Sequence, residues 1–402
     1  MRIAERMEHI RESGTARIAR ITTIREAQGA RIIRLNIGEP NFDTPEFITN
    51  AAEKAMSEGQ TRYTDVAGTA ALRAAVAEKF RRDNGISCTP DQIVIGNGAK
   101  QLIFNALLAT VGRGDEVIVP VPSWVSYPDI TKIAGARPVI ISSGEENEFK
   151  MTAAQLATAI TEHTRWVILN SPCNPTGSVF TESELRDFAD VLRDAPGVAV
   201  LSDDIYEKIT FDGEQFTTFA TVAPDLCDRV LTVNGVSKSH AMTGWRIGFA
   251  VGPRDLIAAM IKLQGQSTTN PSSISQAAAL AALTETEESE RFTASCRAAY
   301  QRRRDRLVAG LSSIPGVQCT LPRGAFYVFA SCQDILGRTT PDGTVLCNDT
   351  AFCEYLLRDY GVSTVPGSEF GGAGFFRLSF ATDELLISEA CHHILRAVEN
   401  LT

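Results

Sequence analysis

Four stretches of this 402-residue chain place reactive or polar side chains directly after short apolar runs rich in Val and Ile. Residues 92–96 lead into Asn97-Gly98-Ala99-Lys100. A glycine followed by a helix start offers free backbone amides to an anion, although the same glycine also serves as a plain turn. Residues 166–170 lead into Ser171-Pro172-Cys173-Asn174-Pro175-Thr176-Gly177, where two prolines stiffen the loop and leave Asn174 as its polar tip. Residues 198–202 end in Asp203-Asp204-Ile205-Tyr206, where one carboxylate also suits a helix cap. Residues 230–234 end in Gly235-Val236-Ser237-Lys238-Ser239-His240. A lysine closing an apolar strand is costly unless it is exposed, paired or covalently used.

The elements that would position these groups can be read from the same pattern. Residues 92–96, 116–120, 138–142, 166–170, 198–202, 230–234 and 247–251 are apolar on both faces, as expected of strands buried between helical layers. Helices fit between them, for example over 181–194, which Thr181 and Glu184 open with capping-box spacing. This alternation predicts an α/β domain with a largely parallel sheet over residues 46–290. Residues 1–45 hold a charged helix and the loop Asn36-Ile37-Gly38-Glu39-Pro40. A long charged helix over 287–311 precedes strands at 325–330, 362–366 and 376–380 and helices at 349–359 and 383–399. Residues 1–45 and 291–402 thus read as a smaller α+β domain built from both chain ends. The run Arg302-Arg303-Arg304 reads as a solvated helix face.

Composition narrows the function classes. With 44% hydrophobic and 22% charged residues, the chain is neither disordered nor collagen-like nor a coiled coil. A net charge of -9 argues against nucleic acid as the main partner. Nine cysteines, an odd number without a C-x-x-C pair, read as reduced thiols and not as a disulfide frame or a metal site. The first residues lack the apolar core of a secretory signal, and no run approaches the ~18 apolar residues of a membrane helix. A reducing cytoplasm and no membrane partner are therefore expected.

Ligands in open α/β sheets sit beyond the carboxyl ends of the strands. There, an amine, a carboxylate, an amide, a phenol and an anion seat would converge, which is what pyridoxal phosphate requires of a protein. The stretch from Ser237-Lys238-Ser239-His240 through Ala241-Met242-Thr243-Gly244-Trp245-Arg246-Ile247-Gly248 resembles the cofactor-attachment motif of class I aminotransferases of fold type I. Asn174-Pro175-Thr176-Gly177 and Asp203-Asp204-Ile205-Tyr206 lie upstream in that family's order, and Lys238 follows Asn174 by 64 residues and Asp203 by 35. The resemblance spans nearly the whole chain, from Gly38-Glu39-Pro40 to Phe376-Arg377-Leu378-Ser379. It is closest to the bacterial aspartate aminotransferase branch through Gly98-Ala99-Lys100-Gln101, Trp124-Val125-Ser126-Tyr127-Pro128 and Gln266-Ser267-Thr268-Thr269.

The resemblance implies a fold-type I architecture, a large mostly parallel seven-stranded sheet domain beside a smaller α+β domain. It also implies ping-pong transfer of an amino group from an amino acid, best guessed as aspartate or glutamate, to 2-oxoglutarate or oxaloacetate. Lys238 would carry pyridoxal 5'-phosphate as a Schiff base and move the proton. Asp203 would pair with the ring nitrogen, Asn174 and Tyr206 would bond the ring oxygen, and Trp124 would stack on the ring. Gly98, Ala99, Lys100, Ser237 and Arg246 would hold the phosphate. Tyr63 would reach the neighbouring subunit's cofactor, implying a homodimer with shared sites. Arg377 would bind the substrate α-carboxylate, and Gly38 would let the N-terminal segment approach. Lys100 is the candidate for a distal carboxylate, with Ser13 and Thr15 adding hydroxyls. Asp204, which the family more often has as Glu, reads as a structural partner, His240 as a spacer and Cys173 as packing. Aminotransferases for aromatic or prephenate-type substrates would keep the same cofactor residues. An aminotransferase-like regulator would need a DNA-binding segment, and only about 45 residues precede the large domain.

Overall fold

The computed structural model describes all residues except 5, 6, 9, 11 and 13. Seven strands form one sheet in the order Ile93–Gly96, Gly248–Val251, Val230–Gly235, Ala199–Asp203, Thr164–Asn170, Glu116–Val121, Arg137–Ser142. All are parallel except Gly248–Val251, which runs antiparallel to both neighbours. The inner strands are buried along their length, and two apolar clusters cover opposite faces of the sheet's middle. Burial on both faces is why these strands carry continuous Val, Ile and Leu runs, without polar alternation. Only the edge strand Arg137–Ser142 is substantially exposed. All seven strands expected from the sequence are present, and Thr181 caps the helix Glu182–Arg193 with a full capping box to Glu184.

A four-stranded antiparallel sheet, in the order Val365–Pro366, Phe375–Ser379, Tyr327–Ser331, Gln318–Cys319, packs with the helices Thr286–Ser312, Asp349–Tyr360 and Glu384–Glu399. The single strand expected at 362–366 is two. Val362–Ser363 pairs in parallel with Ile33–Arg34, and after Thr364 the chain joins the four-stranded sheet instead. This pairing ties the N-terminal region to the C-terminal one. The helix Gly14–Ala27 precedes it, with Thr22 Oγ1 2.7 Å from Ser363 Oγ.

The arginine run departs from the solvated face expected of it. Cys296, Tyr300, Arg304, Leu307 and Leu311 fall at steps of three or four on one buried side of the long helix. Arg304 is therefore buried. Its guanidinium is ion-paired to Asp212 at 2.5 Å and to Asp305, and bonds the Pro322 carbonyl at 3.1 Å. Arg302 remains exposed as expected.

Candidate active site

Five strand ends and one strand start supply one rim of the large sheet. Parallel strands end there at Gly96, Val121, Asn170, Asp203 and Gly235. The antiparallel strand begins there, because Gly248 pairs with both Gly96 and Gly235. Arg246, two residues earlier, is delivered to the same rim. Glycine is demanded here twice. A Cβ on Gly98 (φ +83°) would lie 2.4 Å from Arg246 Nη2, and one on Gly248 would lie 2.3 Å from the Ala99 backbone nitrogen. The helix Ala99–Thr110 therefore starts directly against the arginine, with its first backbone N–H groups pointing out of the helix.

A cavity of 610 Å³ opens over this rim. Into it face Ala99, Lys100, Trp124, Asn174, Asp203, Tyr206, Ser237, Lys238 and Arg246 from the large sheet. Thr15, Gly38 and Arg377 close it from the other side. Of the residues singled out in the sequence, Gly98 adjoins the cavity through Arg246, and Tyr63 lies outside it, 90% exposed. Ser13 lies outside the described residues.

Lys238 and Asp203 have opposite electrostatic problems. The lysine Nζ donates to the Gly38 carbonyl at 2.7 Å, and burial lowers its pKa to about 8, with Glu39 partly opposing the shift. The Asp203 carboxyl is pushed up to about 6, again by burial, against the stabilising bond from the Tyr127 hydroxyl to Oδ2 at 2.6 Å. Its Oδ1 receives only a long contact, 3.4 Å, from the Ile205 amide. Its position is fixed from next door, since Asn170 sits opposite it in the sheet and donates to its backbone carbonyl at 2.8 Å.

Arg377 is buried in the middle of the strand Phe375–Ser379, stacked on Tyr327 and Phe370 at 4.4 and 4.9 Å. It donates to Asn174 Oδ1 at 2.9 Å and to the Asn36 carbonyl at 2.8 Å, while its buried Nε has no partner. Among the described residues no carboxylate pairs with it. A buried, uncompensated charge costs several kcal/mol. The arrangement suits an anion entering the cavity.

Trp124 is half-buried, lines the cavity and stands edge-to-face with Tyr127, and Lys100 Nζ lies over its ring, 4.7 Å from the ring centre. Lys100 is exposed in the single chain, yet the atoms packed around its ammonium and the Arg246 charge lower its pKa. His240 lies outside the cavity lining, buried between the hydroxyls of Ser239 and Ser289. Burial of Cys173 raises its thiol to about 11, which fits packing and not a nucleophile. Asp204 is buried and accepts from Ser202 at 2.7 Å.

Two aromatic residues of the site had no role assigned from sequence. Tyr127 sat unassigned within the quoted Trp124 stretch. Its place three residues after Trp124, at a helix start, was the available signal. Tyr327, whose hydroxyl lies 2.8 Å from that of Tyr206, reads in sequence as one more apolar strand residue.

Residues 30–394 match the family model for aminotransferase class I and II, and the chain belongs to that family. It is 46% identical over 399 residues to an aspartate aminotransferase of Rhizobium meliloti, covering 99% of this chain and 97% of the relative. It is also 46% identical to an aspartate/prephenate aminotransferase of Cereibacter sphaeroides, covering 98% and 97%. The crystal structure of the Rhizobium meliloti aspartate aminotransferase superposes with a TM-score of 0.95 at 46% identity, covering both chains completely. The fold is thus that of the fold-type I transferases. No helix among the described residues is long and apolar enough to cross a membrane.

Proposed function

We propose that this enzyme transfers the amino group of aspartate or glutamate to a 2-oxo acid, using pyridoxal 5'-phosphate held in the 610 Å³ cavity. The observation that carries the proposal is the gathering there of a lysine lowered to about 8, a buried carboxylate and a buried arginine without a counter-ion among the described residues. The residues fit the cofactor. Arg246, Ser237 and the helix start at Ala99 and Lys100 suit its phosphate, with Gly98 leaving the space that a side chain would fill. Asp203 retains an oxygen able to accept from a protonated ring nitrogen, and Trp124 offers a flat face. When bound, the cofactor supplies a covalent link to the substrate nitrogen and an electron sink for the charge left at Cα.

The chain's own groups do the rest. Lys238, neutral in part near pH 8, would accept the proton from the substrate Cα and deliver it to the carbon on the other side of the substrate nitrogen. Asp203 keeps the ring nitrogen protonated, and Asn174 and Tyr206 hold the ring oxygen. Arg377 binds the α-carboxylate through paired donors, a geometry lysine cannot copy. Lys100, beside Trp124, meets the second carboxylate, with Thr15 on the cavity wall nearby. Tyr63, exposed in the single chain, reaches the cofactor phosphate of a second copy, so the working unit is a homodimer. The division into residues 46–290 and the two flanking segments is supported by a distinct apolar cluster at each sheet, with Tyr206, Ile209 and Phe211 of the larger segment joining the smaller sheet's cluster.

The test is a panel of donors and acceptors with wild type and Lys100→Ala. Losing one charge contact worth about 1.5–3 kcal/mol lowers kcat/KM for aspartate and glutamate about 10–100-fold. Alanine and phenylalanine should change little. Equal losses on every donor would assign Lys100 to the cofactor instead. Prephenate belongs in the acceptor panel because a 46% identical relative is named for it.

A further inference from the structure

A second cavity, of 360 Å³, lies away from the catalytic one, between the end of the helix Gly14–Ala27, the end of the helix Asp349–Tyr360 and the last helix. Four arginines line it, Arg25, Arg31, Arg358 and Arg396, with His393 beside them. Two of the four are neutralised. Arg31 pairs with Glu389 at 2.8 Å, and Arg358 pairs with Asp359 and Asp342 at 2.7 and 2.9 Å. His393 donates its Nδ1–H to the Tyr360 carbonyl at 2.8 Å.

Arg25 and Arg396 are different. Among the described residues neither has a carboxylate partner. Arg25 spends one nitrogen on the Arg358 carbonyl at 3.0 Å, and its Nε is buried without any partner. Asp359, the one acidic residue lining the cavity among the described residues, is already engaged by Arg358. The cavity therefore presents two uncompensated guanidiniums, drawn from opposite ends of the chain. A planar guanidinium with free donors matches phosphate and carboxylate oxygens.

We propose that this cleft binds a small dianion carrying phosphate or paired carboxylate groups, held between Arg25 and Arg396. No residue of the cleft lines the catalytic cavity. The helix that carries Arg25 does reach it, because Thr15, Ala16 and Ala19 near its other end line that cavity.

The test uses the cofactor-loaded enzyme and pyrophosphate as the probe, titrated calorimetrically at low ionic strength, since screening weakens an exposed charge pair. Wild type should bind with a saturable isotherm. The Arg25→Gln/Arg396→Gln double variant should bind at least ten-fold more weakly, with unchanged kcat on aspartate. Binding should be unaltered in Lys100→Ala, which separates the cleft from the catalytic cavity. Arg396→Glu, a change on an exposed helix face, should abolish binding and serves if the double variant folds poorly. Absence of saturable binding to wild type, equal binding by the arginine variants, or loss in Lys100→Ala would each overturn the proposal.

Discussion

Deleting a single hydroxyl at Tyr127 tests the electrostatics of the site. Tyr127→Phe keeps the ring, its edge-to-face packing on Trp124 and its burial, and removes only the 2.6 Å bond to Asp203 Oδ2. A hydrogen bond to a charged group is worth about 1.5–3 kcal/mol. Each 1.36 kcal/mol is a factor of ten between protonation states, so the ionised fraction of Asp203 relative to the neutral form falls about 10–100-fold. The sign is fixed by chemistry, because the hydroxyl donates to the carboxylate and its loss favours the acid. Asp203 titrates at about 6, so at pH 7 its carboxylate outnumbers its acid about ten to one. The variant should bring that ratio to unity or below before cofactor enters. A carboxylate that resists ionisation holds a ring proton less firmly. The variant should therefore bind pyridoxal phosphate about 10–100-fold more weakly and slow the aspartate half-reaction by a similar factor, with its acidic limb displaced to higher pH. Titration of cofactor-free protein by tryptophan fluorescence and single-turnover absorbance across pH 5–9 read both quantities. If cofactor affinity, half-reaction rate and acidic limb all stay within about three-fold of wild type, Tyr127 merely packs, and the reading of Asp203 as the ring-nitrogen partner loses its physical basis.

Two further outcomes are expected. Lys238→Ala should lose at least about 10²–10⁴-fold in the half-reaction, the usual contribution of a positioned general base; borohydride should fix cofactor to wild type and not to this variant, and label on any other lysine would refute the assignment. His240 is held at about 3, against an ordinary 6.5, by burial and by the Lys208 and Lys79 charges, with Asp83 opposing them. Below pH 6.5 the unfolded chain therefore takes up a proton that the native one refuses, and stability falls as pH drops towards 3, by about 2 kcal/mol at pH 5. His240→Gln should flatten that part of the pH dependence, read from urea midpoints at pH 5 and 8, and an unchanged slope would show that other groups set it.

What could be read from the sequence depended on how local its cause was. The seven strands were legible because burial on both faces leaves a continuous apolar run in each. Ile33–Arg34 and Gln318–Cys319 were not, because two residues carry no period and exist as strands only through their partners. Lys238, Asp203 and Asn174 announced themselves by polarity at strand ends. The delivery of Arg246 rested on something no local pattern encodes, the reversed direction of Gly248–Val251.

The two buried arginines show where local reading stops. Arg304 and Arg377 are both buried among apolar neighbours, one on a helix and one on a strand, and both stack on aromatic rings. Their flanking residues mislead: Arg304 lies in the charged run Arg302-Arg303-Arg304-Asp305 and reads as exposed, whereas Arg377 lies between Phe376 and Leu378 and reads as strand. Their partners, brought from distant parts of the chain, make the difference. Arg304 meets Asp212, 92 residues away, and its neighbour Asp305, so its charge is compensated within the protein and its role is to fix the long helix. Arg377 meets an amide oxygen from Asn174 and the Asn36 carbonyl, which orient it without neutralising it. A buried cation held in place by neutral groups is incomplete until an anion arrives. That incompleteness, more than burial or motif, is what the proposed role of Arg377 in holding the substrate carboxylate rests on.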